Sequence, residues 1–274
     1  MSFHQLSPLT QHHLDQATAL SQAEHWPHRQ EDWEMLLALS VGTVALRGSQ
    51  VVGTALRTDY GPDVSAMNMI IVAQSERGHG LGRKVMEAVM DKSADRELRL
   101  IATKEGLPLY EKLGFQAEGD ISQCQGNIDA IAPPGSEVYS ASAADLNDII
   151  QIDTRYTAAD RSGLLRWLAQ NGTLAVMRAD GGEITSYAAH RRFGRGHVIG
   201  PILAPCAAQA KDLIRHFAAP LRGAFLRIDT DTSLDLVAWL DSIGLPRTGT
   251  GVRMRKNAKT DPRPAFGLCS QALG

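Results

Sequence analysis

The sequence predicts an α/β protein built from two tandem units, each a mixed, mostly antiparallel sheet flanked by helices. Three observations carry this. Pro133-Pro134-Gly135, within "AIAPPGSE", punctuates the middle of a 274-residue chain and stops any regular element. The elements on either side follow one order. In each half a strand hairpin precedes a strand–helix–strand–helix–strand run, which makes a sheet with helices packed on it. The units are residues 1–132 and 136–274.

In the first unit, helices are expected over Leu14–Leu20 and Gln30–Leu39. Thr43–Arg47 and Val51–Arg57 read as strands around the turn Gly48-Ser49-Gln50. Ser65–Ala73 is a third strand. A glycine loop follows, then a helix to about Lys92. Leu98–Thr103 is a strand. Leu107–Gly114 is a short helix closed by Gly114 as its C-cap. Phe115–Asp120 begins the last strand.

The second unit repeats this sequence of elements. Helices are expected over Ala143–Ile152 and Arg161–Gln170. Thr173–Arg178 and Ile184–Arg192 form the hairpin. His197–Ala204 answers the third strand, and Ala207–Phe217 answers the loop helix. Ala224–Asp229 is a strand. Leu236–Leu245 lies over Gly106–Phe115, with Gly244 on Gly114. The repeat is one of element order, and residue identity between the halves is low.

Composition removes several classes. At 43% hydrophobic the chain has enough for a full core. A net charge of −2 gives no general attraction to nucleic acid or membrane. The N-terminal "MSFHQLSPLTQHHLDQA" lacks a basic start and apolar run, so no signal peptide is expected. No stretch reaches the ~18 apolar residues of a membrane span. Cys124, Cys206 and Cys269 are distant and odd in number, which argues against a disulfide framework or a metal site. A cytoplasmic location is expected.

The stretch with the most chemistry is Arg77-Gly78-His79-Gly80-Leu81-Gly82, between a strand and a helix. It is not a P-loop, because no Gly-Lys-Ser/Thr follows. It is not a dinucleotide fingerprint, because Arg83 takes the place of the third glycine. It does fit Q/R-x-x-G-x-G/A at every position. Glycines let backbone N–H groups converge without a Cβ in the way, and a helix N-terminus adds its dipole, so the loop suits a pyrophosphate. Arg77, Arg83 and Lys84 add charge at the rim. A plain tight strand–helix join is the competing reading.

"MNMIIVAQSERGHGLGRKVMEAVM", "LPLYEKLGF" and the element order together resemble the GNAT superfamily of acetyl-CoA-dependent N-acyltransferases. The first half matches end to end. The second half resembles the divergent C-terminal domain of a two-domain subgroup, through "HVIGPILA", "WLDSIGL" and the tail "PAFGLCSQALG". The resemblance implies acetyl-CoA as acyl donor, with no metal. It places the pantetheine arm along Ile70, Ile71 and Val72. The pyrophosphate falls on Arg77, Gly78, His79, Gly80, Leu81 and Gly82, and the thioester in a gap between the strands ending near Val72 and Thr103. Tyr110 holds the position that protonates the leaving thiolate, with a tyrosine packed in the core as the plainer alternative. A backbone N–H near Val72 is expected to polarise the carbonyl.

For the base, "QAEHWPHRQEDW" (22–33) offers Glu24, His25, His28, Glu31 and Asp32; Glu24 and His25 are the candidates taken. A small-molecule amine or amino-acid-like acceptor is expected, with no nucleic acid or membrane partner. A homodimer remains open. Asp229 and Asp231 end a strand of the second half, where a cap is the simpler role and an acceptor contact the alternative. The second half has "APCAAQAKD" in place of the glycine loop and Leu240 in place of Tyr110. It is expected to keep the fold, without that cradle, and to cover the acceptor pocket. A catalytically idle acyl-CoA-binding or regulatory protein is the rival reading of the whole.

Overall fold

The computed structural model describes residues 4–91, 95–129 and 131–274. The expected helix end at Lys92 and the linker's Ala130 lie outside the described residues. In chain order the elements are β1 (Gln5–Pro8), α1 (Leu14–Ala23), α2 (Gln30–Leu39), β2 (Val41–Arg47), β3 (Gln50–Tyr60), β4 (Val64–Val72), α3 (Leu81–Met90), β5 (Glu97–Ala102), α4 (Leu107–Lys112) and β6 (Gln116–Asn127). The second half gives β7 (Tyr139–Ser140), α5 (Leu146–Thr157), α6 (Ser162–Asn171), β8 (Thr173–Arg178), β9 (Ile184–Phe193), β10 (Gly196–Leu203), α7 (Ala207–Ala218), β11 (Phe225–Asp231), α8 (Val237–Ser242) and β12 (Arg247–Lys256). Among the described residues no helix is long and apolar enough to cross a membrane.

The twelve strands of the described residues join one sheet, in the order β1-β2-β3-β4-β5-β12-β6-β11-β10-β9-β8-β7. Only β4–β5 and β10–β11 pair in parallel; the other neighbours are antiparallel. The mixed, mostly antiparallel sheet of each half is as the sequence predicts. The last strands, however, are exchanged. β6 of the first half pairs with β11 of the second, from Ile121 opposite Asp231 to Asn127 opposite Phe225. β12 of the second half pairs with β5 of the first, from Lys256 opposite Leu98 to Val252 opposite Ala102. β6 and β12 then pair with each other. Each half is completed by the other's last strand, so neither half contains its whole sheet.

The helices cover both faces. One core lies under α3 and α4, with Val85, Met86, Leu98, Tyr110 and Met254 buried together. The other face of the first half carries α1 and α2. Its core is continuous with that under α5 and α6: Leu14, Trp33 and Met69 belong to one cluster with Ile149, Leu164 and Tyr187. Trp33 is fully buried, and its indole N–H donates to Ser21 Oγ at 3.1 Å. This shared core, with the strand exchange, fixes one half against the other. The linker is pinned too, since the N–H groups of Gly135 and Ser136 donate to the Asp212 carboxylate at 2.9 and 3.1 Å.

The repeat extends to backbone angles. Gly114 and Gly244, each just past its short helix, both take φ of +87°. Glycine fits there because the left-handed region costs it nothing.

Candidate functional site

β4 and β5 pair only where Val64–Ala66 face Glu97–Arg99. Beyond that point the strands part, leaving the β5-facing edge of β4 without a ladder. The alternation of antiparallel pairing decides which groups face this gap. The N–H of Ala73 bonds to Val52 O at 2.8 Å, and Gly53 stands opposite Val72. Val72 is therefore a non-bonded position of the β3 ladder, and its N–H and C=O turn toward the gap. Arg77 Nε donates to that carbonyl at 3.1 Å.

A bulge lies just before. Thr54 faces Ile71 while Leu56 faces Asn68, so Met69 and Ile70 together oppose Ala55. Met69 takes φ of +48°, uncommon for a side-chain-bearing residue. The Thr54 hydroxyl holds the Met69 carbonyl at 2.7 Å. Strained backbone of this kind clusters at functional sites.

The glycine loop follows β4 after one turn of 3-10 helix, Gln74–Glu76. Gly78 and Gly80 have φ of +80° and +77°, and a Cβ on either would meet nothing within 4 Å. Both glycines are required by conformation, and the space in front of them is open. Gly82 serves packing instead, since a Cβ there would sit 3.3 Å from Leu109 Cδ2. Gly80 caps α3, leaving the first N–H groups of the helix without intrahelical partners. Leu81 is buried and anchors the helix start, while His79 is exposed and serves as a spacer. Arg83 pairs with Glu87 at 2.7 Å. Backbone donors, a helix dipole and open space suit a pyrophosphate.

A cavity of about 850 Å³ runs from this loop across the sheet. Ile70, Ile71, Val72 and Tyr110 all line it. Tyr110 is 7% exposed, packs edge-on to Phe115 with ring centroids 6.1 Å apart, and is pushed well above the ordinary phenol range by burial. Its hydroxyl has no hydrogen-bond partner among the described residues. A Cβ on Gly106 would lie 2.9 Å from Tyr110 Cε2, so that glycine makes room for the ring. The ring packs in the core, as the plainer reading has it, and the hydroxyl faces the cavity side without a protein partner among the described residues.

The two candidate bases differ in placement. Glu24 lines the cavity and pairs with Arg77, Oε2 to Nη2, at 2.5 Å. His25 also lines the cavity, but it is exposed and takes φ of +60°. His28, named within the same loop but not singled out, is the buried member. Its ring stands edge-on to Phe193 at 5.3 Å, and its Nδ1 has no partner among the described residues. Burial, opposed by Asp32 and reinforced by Arg227 and Arg191, lowers it to about 4, so the imidazole is neutral near pH 7.

The second half walls off this side of the cavity. The N–H of Gly194, in the β9–β10 turn, bonds to Asp32 Oδ2 at 3.0 Å, and Arg29 Nη2 reaches Arg192 O at 3.3 Å. Phe193, Arg227 and Gln271 line the cavity directly. Asp229 forms an ion pair with Arg227 at 2.9 Å. Asp231 caps the turn after β11 by accepting from Ser233 N at 3.0 Å and also pairs with Arg253.

The counterpart gap in the second half is filled. β10 and β11 pair only at His197–Leu226 and Val198–Arg227. The C-terminal tail enters beyond. Ile202 and Gly267 exchange N–H···O bonds of 2.9 and 3.3 Å, Leu268 N donates to Asp229 O at 2.8 Å, and Asp231 N donates to Ala265 O at 3.3 Å. A Cβ on Gly200 would come within 1.8 Å of Leu268 O, so only glycine permits this approach. The tail lies where an extended ligand would pair with the strand edges, and Leu240 stands fully buried in the place of Tyr110. Pattern reading picked out the tail without finding this role; the signal was the pair of small residues, Gly200 and Gly267.

The chain is similar to known acetyltransferases in sequence and in fold. Residues 149–265 match one family model described as an acetyltransferase (GNAT) domain, and residues 39–117 match another of that description. The chain is 30% identical to an uncharacterized N-acetyltransferase, YitH, of Bacillus subtilis over 218 residues, 77% of each chain. It is 25% identical to a holothin acyltransferase of a Pseudoalteromonas species over 182 residues, 65% of this chain and 61% of that one. Among solved structures, a putative acetyltransferase from Pyrococcus horikoshii superposes with a TM-score of 0.84 at 17% identity, covering 100% of this chain and 97% of that one. A tandem GNAT protein from the clavulanic acid biosynthesis pathway gives 0.63 at 12% identity, covering 94% and 100%.

Proposed function

Because the chain belongs to the GNAT family of acetyltransferases, as its two domain matches and its 30% identical relative show, we propose that it moves an acetyl group from acetyl-CoA to the amine of a small acceptor, by direct attack in a ternary complex. One observation carries this reading. The open cradle at Gly78 and Gly80 leads into the same cavity as the unpartnered hydroxyl of Tyr110.

The coenzyme supplies an activated thioester. Backbone N–H groups from Gly78 to Arg83 hold its pyrophosphate, and the open edge of β4 at Ile70–Val72 receives the pantetheine arm. The N–H of Val72 faces the gap and polarises the carbonyl. The acceptor nitrogen forms a bond to the carbonyl carbon as the carbon–sulfur bond breaks. Tyr110 gives its proton to the departing sulfur. Burial keeps that phenol protonated until then. Glu24, once Arg77 turns to the pyrophosphate, takes the proton lost by the amine. His25 stands at the rim of the same loop as the second candidate.

A thiol-release assay with acetyl-CoA and a panel of amines tests the proposal. Release that depends on an amine supports transfer. Coenzyme binding with no release for any amine points to an idle coenzyme-binding protein.

A further inference from the structure

The cavity's far end carries one charge with no function assigned to it. Arg227 is 7% exposed. Its Nε donates to both Asp229 oxygens at 3.1 and 2.9 Å, and Nη2 lies 2.9 Å from Oδ2. Asp229, fully buried, is held in turn by Gln271 Nε2 at 3.2 Å. Phe193 fixes the guanidinium plane, with its ring 5.4 Å from Arg227 Cζ. One edge of the fork is thus locked. The remaining nitrogen, Nη1, has no hydrogen-bond partner among the described residues, and the side chain lines the cavity.

The carboxylates nearby are committed. Asp229 is bound by Arg227 and Gln271, and Glu76 by Arg47 and His4; Glu24 and Glu105 belong to the reacting end, beside the glycine loop and Tyr110. The far end therefore offers no free anion for a second ammonium group. It offers an immobilised guanidinium N–H, the donor that best matches a carboxylate oxygen.

Distance narrows the class further. β5, β12, β6 and β11 are successive neighbours, and strands lie about 4.8 Å apart, so β11 runs about 14 Å across the sheet from β5; Arg227 is also offset along the strands, since it faces Gln125 whereas the row of Ile101 passes through Arg253 and Gly119. Even after the arginine side chain reaches back, the remaining span exceeds the two bonds between nitrogen and carboxylate carbon in an α-amino acid.

We infer that the acceptor is an extended amine, carrying a carboxylate several bonds from its nitrogen, and that Arg227 receives that carboxylate. ω-Amino acids and short peptides have this form. The inference rests on the acyl-transfer reading above and names its acceptor class.

The test uses the full chain, acetyl-CoA, and matched pairs of acceptors. α-Amino acids, ω-amino acids of increasing length and dipeptides are each compared with their carboxamides in the thiol-release assay. The acids' binding to the CoA-loaded protein is measured by calorimetry in parallel. For the extended members, kcat/KM should favour the acid by about 10- to 100-fold, the range of one charge-assisted hydrogen bond. Arg227→Gln should bring that ratio near one. If leaving Asp229 unpaired prevents folding, Arg227→Gln with Asp229→Asn removes both charges and should give the same result. Equal turnover of acids and amides, or a preference that survives the double variant, overturns the inference and leaves acyl transfer standing. If no amine releases thiol, acyl transfer fails and calorimetry decides: binding of extended acids that is lost with Arg227 supports the inference, and no binding overturns it.

Discussion

Arg77 Nη2 and Glu24 Oε2 lie 2.5 Å apart, joining the glycine loop to the acceptor loop by one ion pair. Both side chains are partly exposed, so the pair itself adds little stability. Its interest is competition. On the proposed reading, a pyrophosphate on the loop would draw Arg77 away and leave Glu24 free at the cavity.

Glu24→Gln should lower kcat on the order of 10²-fold, as loss of a general base does. Acetyl-CoA affinity should hold or rise, since Arg77 is released in advance. Steady-state kinetics and calorimetry together check this. A kcat within twofold of the parent would remove Glu24 from the chemistry.

Tyr110→Phe keeps the buried ring and deletes a hydroxyl that has no hydrogen-bond partner among the described residues. Stability should change little. The variant should lose kcat on the order of 10²-fold with acetyl-CoA affinity retained. An unaltered kcat across the pH range would leave Tyr110 a packing residue.

Glu97 joins the exchanged strands to the rest. It is fully buried and accepts from Lys259 N at 2.7 Å, Thr260 N and Oγ1 at 2.9 Å, and Arg99 Nε at 2.7 Å. Burial alone would raise its carboxyl, but these donors outweigh it and bring it from 4.5 to about 2. Between those values the unfolded chain binds more protons, so stability is lost as pH falls through that window. Glu97→Gln should cost about 3 kcal/mol at pH 7, and the gap from the parent should narrow toward pH 2. Urea unfolding at several pH values measures both. A constant gap would mean that the cost is steric.

Much of this was legible because it is local. Strand hairpins show in their turn residues, Gly114 as a helix cap with Gly244 in the matching place, and Gly78 and Gly80 as positions that keep a Cβ out of the loop. That Tyr110 sits on a short helix followed from "LPLYEKLGF". The exchange of β6 and β12 was not legible. Both strands can pair on both edges, and nothing in "FQAEGD" states whether β5 or β11 will be its neighbour. That choice belongs to the whole sheet. The positive φ of Met69 was hidden for a similar reason, since a bulge is set by the register of two strands. Pattern could place Glu24 and His28 in one loop but not separate them. Only packing buries one beneath Phe193 and ties the other to Arg77.

Calorimetric titration of the full chain with acetyl-CoA tests the central claim most directly, because the account gives each half a different fate. The first half has an open glycine cradle. The second has "PCAAQA" in its place, with Pro205 lacking a donor, and a gap already filled by Gly267 and Leu268. Saturation near one equivalent is expected. Gly80→Val, which sets a side chain where the pyrophosphate lies, should weaken that binding at least tenfold, ~1.4 kcal/mol or more. A stoichiometry near two, or an affinity unchanged in a folded Gly80→Val variant, would contradict it.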